Sequence, residues 1–298
     1  MRRFKLVQGD GKPYGITKEN FEKLTKKEKP YVMMGADGET RNFGICPACD
    51  NPIQLIGLYK KLGNTDKPYG RHYNRDAAIA AHNEQAYKYC PYASHVYKRT
   101  EKQLKDKLTD FEKNIYNTVR DYFDSAIYLL RKILGIYISP KYAEQILREY
   151  LASKGYMYYG ATYYNIPWML LYFCIAKPVY GKLVREGSPL YEMLKDRSDV
   201  VLKPTEGRDY YKVDKSGDWL DLQYSFILHE RKVVDDEVRE EIHFQLFSSD
   251  KQGIPVEKAD MVLDINEYRF PNLIHSEDSV QYRNDELLQV ASRLMPDL

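Results

Sequence analysis

The sequence predicts an α+β fold in three successive parts: a cysteine-knuckle module, a helical middle and an antiparallel β-sheet C-terminal region. Three observations carry this. Three of the four cysteines fall between Gly44 and His95, two of them as Cys46-Pro47-Ala48-Cys49. Apolar residues then recur in steps of three and four from Leu104 to Leu134, the spacing of one helix face. After Trp219 two stretches alternate apolar and polar residues, the signature of strands with one buried face. The expected boundaries are 1–100, 101–197 and 198–298.

In the first part, Thr17-Lys18-Glu19-Asn20 predicts a capped helix running through Leu24, and Tyr31 to Met34 a strand entering an Asp37-Gly38 turn. Cys46 and Cys49 form a C-x2-C pair, and Cys90-Pro91 repeats the cysteine–proline opening. Thiolates and imidazoles at such spacings suit the tetrahedral preference of zinc. The expected ligands are Cys46, Cys49, Cys90 and His72, with His95 as the alternative fourth. His72 sits in a turn-rich run, and His95 follows Cys90 at a zinc-finger-like interval. His82 lies in the Ala77–Ala81 run and reads as a helix-face residue, not a ligand. The ion is expected to be structural, giving a zinc-stapled N-terminal module, because binding and folding are coupled at such sites.

In the middle part the periodicity predicts one long helix over Glu101 to Leu134, ended by Gly135. Ser139-Pro140 opens a second helix, Ile166 to Ala176 reads as a buried third, and Ser188-Pro189 opens a short fourth. Tyrosines at 156, 158, 159, 163 and 164 read as packing around the third helix, or else as a stacking platform. In the last part Trp219–His229 and Val238–Leu246 predict a hairpin about Asp235-Asp236-Glu237, with His229 opposite His243 on the polar face. Met261–Ile265 is a further strand, and Asn284 caps a final helix.

Clustered rather than scattered cysteines fit a reducing cytoplasm. No apolar run follows Arg2-Arg3, so no secretory signal is expected. The longest apolar run is too short to cross a bilayer, which takes roughly 20 residues. Residues 1–100 hold 18 Lys and Arg against 10 Asp and Glu, whereas 201–298 hold 12 against 21. A basic first third suits an anionic partner. The 28 tyrosines suit wet interfaces as well as core edges.

Neither phosphate-binding glycine loops nor G-x-S-x-G nor H-E-x-x-H occurs. Asp221 with Glu230-Arg231-Lys232 imitates a nuclease motif, but along one regular strand 221 and 230 face opposite ways. The expected function is therefore a non-enzymatic, zinc-stabilised interaction protein. Its expected partner is a macromolecule, in the first place another protein, and a regulator or inhibitor encoded by a mobile element fits. The alternatives are a nucleic-acid-binding protein using the basic module, and a metal-dependent enzyme. A closed homo-oligomer is expected as well.

Overall fold

The computed structural model describes the chain apart from residues 10, 36, 61, 62, 64, 66, 94–102, 207–208, 250–251 and 277–280. The architecture is mixed α and β with antiparallel sheets. The order begins β1 (Arg3–Phe4), β2 (Tyr14–Gly15), α1 (Lys18–Thr25), β3 (Val32–Met34), β4 (Thr40–Ile45), β5 (Pro52–Ile56), β6 (Tyr69–His72) and α2 (Glu84–Lys88). It continues with α3 (Asp110–Asp121), α4 (Phe123–Leu134), α5 (Pro140–Ala152), α6 (Ile166–Tyr172), β7 (Lys177–Pro178), β8 (Leu183–Arg185) and α7 (Pro189–Leu194). It ends with β9 (Val200–Pro204), β10 (Tyr210–Lys215), β11 (Gln223–Val234), β12 (Glu237–Ser249), β13 (Pro255–Asp264), α8 (Arg269–Ile274) and α9 (Asp285–Leu294).

Two compact units emerge, each built from separate stretches of chain. The first comprises 1–115, 157–163 and 231–239; the second comprises 116–156, 164–230 and 240–298. The first contains the sheet β3-β4-β5-β6. Its register pairs Phe43 with Gln54 and Gln54 with Arg71 on one face, and Gly44 with Ile53 and Ile53 with His72 on the other. Ile53 and Leu55 on the second face are buried, and so are Phe43 and Ile45 on the first, so β4 is covered on both faces. The sheet β8-β10-β9 belongs to the second unit, and the longest strands are ordered β13-β12-β11-β7.

The expected caps are present. Thr17 Oγ1 accepts from Asn20 N–H, Ser139 Oγ from Tyr142 N–H and Asn284 Oδ1 from Leu287 N–H. Each occupies a backbone donor that a helix start leaves without a partner. Gly135 closes α4 at φ 62°, a left-handed conformation that glycine adopts without a Cβ clash.

The single helix expected over 101–134 is instead two. Thr109 and Glu112 form the box that starts α3: Thr109 N–H donates to Glu112 Oε2 at 2.9 Å, and the threonine hydroxyl donates to the same carboxylate. Leu104 bridges Tyr158 outside any helix, and Leu108 is exposed. Tyr122 leaves helical geometry at φ −129°, ψ 26° and separates α3 from α4. α6 is buried throughout but stops at Tyr172, and Ile175 is exposed. The Ala77–Ala81 run makes a tight turn with an Ala77–Ala80 bridge, not a helix. Tyr158, Tyr163 and Tyr164 are buried, so these rings pack rather than form a platform. Among the described residues no helix is long and apolar enough to cross a membrane.

The hairpin turns on two residues, not three. Asp235 and Asp236 have φ of 53° and 64°, the pair of positive values that a tight two-residue hairpin turn requires. A second departure lies at Leu228, whose φ is 50°. Tyr224 and Phe226 point inward, but at Leu228 the alternation slips by one residue, so Leu228 is exposed and His229 is buried. His229 and His243 consequently do not share the polar face.

Candidate metal centre

Local structure around Cys46 follows from the return of β4 into β5. Cys46 N–H donates to Asn51 O at 2.8 Å, and Asp50 N–H to Cys46 O at 3.1 Å. Asp50 takes φ 58° to complete the turn. The two thiols of Cys46 and Cys49 are thereby aimed to one side of a closed loop. His72 ends β6 opposite Ile53, and Tyr73 N–H donates to Pro52 O at 2.9 Å. This fixes the imidazole beside the loop. Cys90 follows α2, with its N–H donating to Tyr87 O at 3.0 Å.

The structure brings Cys46, Cys49, His72 and Cys90 together, with one ligand atom from each and all four atoms within 4.8 Å of one another. Cys46 Sγ lies 3.8 Å from Cys90 Sγ; His72 Nε2 lies 3.3 Å from Cys49 Sγ and 3.6 Å from Cys90 Sγ. The three cysteines are at most 2% exposed, and none is in a disulfide. His95, the alternative ligand, lies outside the described residues.

The electrostatics are those of tightly coupled buried groups. Burial pushes the Cys46 and Cys90 thiols up. Burial would raise Cys49 too, but hydrogen bonds from Cys46, Cys90 and His72 outweigh it and hold that thiol well below its usual range. Burial lowers His72, but the charges of and hydrogen bonds to Cys46 and Cys49 outweigh it and pull it up to about 11. A metal ion bound at these four side chains would take the place of their protons.

Surrounding groups hold the ligands in place. Asn51 Nδ2 donates to Cys49 Sγ at 3.4 Å and to Asn83 O at 3.0 Å, while Asn83 N–H donates back to Asn51 Oδ1 at 2.7 Å. Asn83 also caps α2 by accepting from Ala86 N–H. The first knuckle is thereby tied to the helix that leads to Cys90. Behind Cys49, the wholly buried Lys5 ammonium bonds the Asp50 carboxylate, which also accepts from Tyr163 O–H at 2.7 Å and Gly9 N–H at 2.8 Å. Tyr87 packs edge-on to His72 with ring centroids 4.9 Å apart. The spacing pattern carries no signal for Lys5, Asn51 or Asn83. The one hint is that Asp50-Asn51 directly follows the C-x2-C pair, where turn-forming residues are needed.

Two grooves border the knuckles within this unit. One, of about 710 Å³, is lined by Cys49, Asn83, Thr109 and the carboxylates Asp50, Glu84, Asp106 and Asp110. The other, of about 670 Å³, runs past His72 and is lined by Tyr69, Arg71, Tyr73, Arg75, Tyr87 and Tyr92 among others.

The histidines of the second unit form no comparable cluster. His229 Nε2 lies 2.8 Å from Glu240 Oε1, which also accepts from Asn165 Nδ2 at 2.8 Å, and the Tyr172 ring stands edge-on at 5.8 Å. His243 pairs instead with Asp260 at 2.7 Å on the exposed side. Asp221 accepts from Ser249 N–H, a strand-end contact. His82 lies outside the cluster, its Nδ1 buried without a hydrogen-bond partner. Comparison of the chain with protein-family models, curated proteins and solved structures finds no match.

Proposed function

We propose that Cys46, Cys49, His72 and Cys90 hold one structural zinc ion and that the chain is a non-enzymatic binding protein whose first unit folds around it. The observation that carries this is the closure of the ligand set. Zinc with sulfur at about 2.3 Å and imidazole nitrogen at about 2.0–2.1 Å has tetrahedral edges of about 3.8 Å and 3.6 Å. Three of the six separations, 3.8, 3.6 and 3.3 Å, lie near those figures and all six are within 4.8 Å, so small side-chain shifts would close the tetrahedron. Three buried thiols and one imidazole complete the coordination, whereas a catalytic zinc keeps one position for water or substrate. Thiolate-rich donors also favour zinc over calcium or magnesium, which take oxygen.

With the metal in a structural role, its contribution is to fix the loops that border the two grooves. A macromolecular partner recognised by those loops is the reading that uses them. The test is metal analysis of protein purified without chelator, followed by chelation at neutral pH. One zinc per chain, and loss of first-unit structure on its removal, is the expected result. Absence of zinc, or an unfolding midpoint unmoved by chelation, would overturn it.

A further inference from the structure

We propose that the groove beside His72 binds single-stranded nucleic acid. The inference rests on the reading that the first unit is a folded, metal-stapled binding module, and it names the partner class.

Gln54 and Arg71 are cross-strand partners, and Tyr69 lies two residues from Arg71, so these three side chains share the face opposite Ile53 and Leu55. Tyr73 continues the row just beyond β6 and stands edge-on to Phe43 at 5.2 Å. Tyr87 and Tyr92 also line the groove. The groove therefore offers planar rings beside β6, the outer strand of the sheet, an arrangement on which unstacked bases can stack.

Charge agrees with this. Among the described residues lining the groove none is acidic, while Arg71 and Arg75 are both exposed. Neither guanidinium makes a hydrogen bond or ion pair with any described residue. The same holds for the side chains of Gln54, Tyr69 and Asn74. Donors for phosphate, amides for base edges and a ring for stacking thus stand together with no internal task. The neighbouring groove makes the contrast: it sets the carboxylates Asp50, Glu84, Asp106 and Asp110 against only Lys88 and Lys107. A base-paired duplex hides its base faces, so rings in a groove favour a single strand. An acidic peptide would satisfy the arginines but leave the rings unused.

The experiment uses the full-length, zinc-loaded protein with fluorescent twelve-nucleotide oligo-dT and oligo-rU. A duplex of matching length and a poly-glutamate peptide serve as rivals. Anisotropy is read across a salt series around physiological strength. The expected result is tighter binding of a single strand than of the duplex or the peptide. Tyr69→Ala should weaken it by about 5- to 150-fold, one lost stacking contact. Arg71→Gln with Arg75→Gln should flatten the log–log salt slope by about 1.4, two lost phosphate contacts.

Metal content and circular dichroism are taken on every sample, and the arginine variants, being exposed, guard against a misfolded tyrosine variant. Folded, zinc-loaded protein that binds no single strand more tightly than the duplex overturns the inference while leaving the metal-stapled module standing. So does binding untouched by Tyr69→Ala and by the arginine pair. Preference for poly-glutamate overturns it in favour of a protein partner. Protein without zinc removes the underlying reading as well.

Discussion

The cysteine–histidine cluster of the first unit and the His229–Glu240 pair of the second are both buried polar sites, yet they arise differently. The first draws Cys46 and Cys49 from one tight loop, His72 from a paired strand end and Cys90 from beyond α2. Its polar atoms face one another across gaps that suit an ion. The second meets its polar needs internally: Glu240 accepts from Asn165 and meets His229 directly. Burial of polar atoms alone therefore does not make a binding site; what matters is whether their needs are met internally.

The sharpest way to break this comparison is Cys46→Ser. A structural zinc supplies on the order of 10 kcal/mol of folding free energy, so the first unit should lose both its metal and its cooperative unfolding. Unchanged zinc stoichiometry in that variant would show that the two sites do not differ as described. Acidification should act in the same direction, since protons compete with zinc for the thiolates.

Next comes Asp50→Ala, which leaves the buried Lys5 ammonium without its carboxylate. Removing one partner of a buried pair costs about 3–5 kcal/mol. The urea midpoint should fall accordingly, and a Lys5→Met, Asp50→Leu double variant should recover part of the loss. No recovery would mean that the carboxylate's contacts to Gly9 and Tyr163 matter more than the charge pair.

Glu240→Ala probes the other site. It leaves His229 and Asn165 without their shared acceptor, at a cost of about 1–3 kcal/mol. Bound zinc should stay at wild-type level; release of metal would couple the two sites and end the contrast.

Glu149 separates the acid responses. Burial raises its carboxyl, but the hydrogen bond from Lys177 and the N–H of Ile175 outweigh that and hold it below the usual range. A lowered carboxylate stabilises the fold above its unfolded pKa and loses that effect as pH falls through the folded value. Glu149→Gln should cost about 1 kcal/mol at neutral pH, and the difference from wild type should vanish in acid. A gap that persists in acid would assign the effect to packing. The smallest effect is expected for His243→Ala, because its contact with Asp260 lies on the exposed side: below about 0.5 kcal/mol by thermal unfolding.

Features written in short stretches of chain were legible in advance. The caps at Thr17, Ser139 and Asn284 need only a side-chain oxygen three residues before a free N–H. The knuckle at Cys46 and Cys49 is likewise local. Periodicity found the right apolar residues but not the right elements. Ile115, Val119, Phe123, Ile127 and Leu130 are all buried, yet the stripe runs through a break at Tyr122 that leaves the three-and-four spacing intact. The Thr109–Glu112 box that sets the true helix start was present in the sequence and was outweighed by the apolar repeat.

By itself, then, the sequence determined the mixed α and β character, the helix starts that carry their own caps, and the thiol-rich knuckle, because each depends on residues within a turn or two of one another. Only the tertiary structure decided that His72 meets the cysteines, since that follows from the register of β5 with β6. Likewise it decided that Lys5 lies behind Asp50, across 45 residues of chain. His229 turned inward for a third reason. One positive φ at Leu228 shifts the alternation of β11 by one residue at His229, and alternation of residue types has no term for a slipped residue.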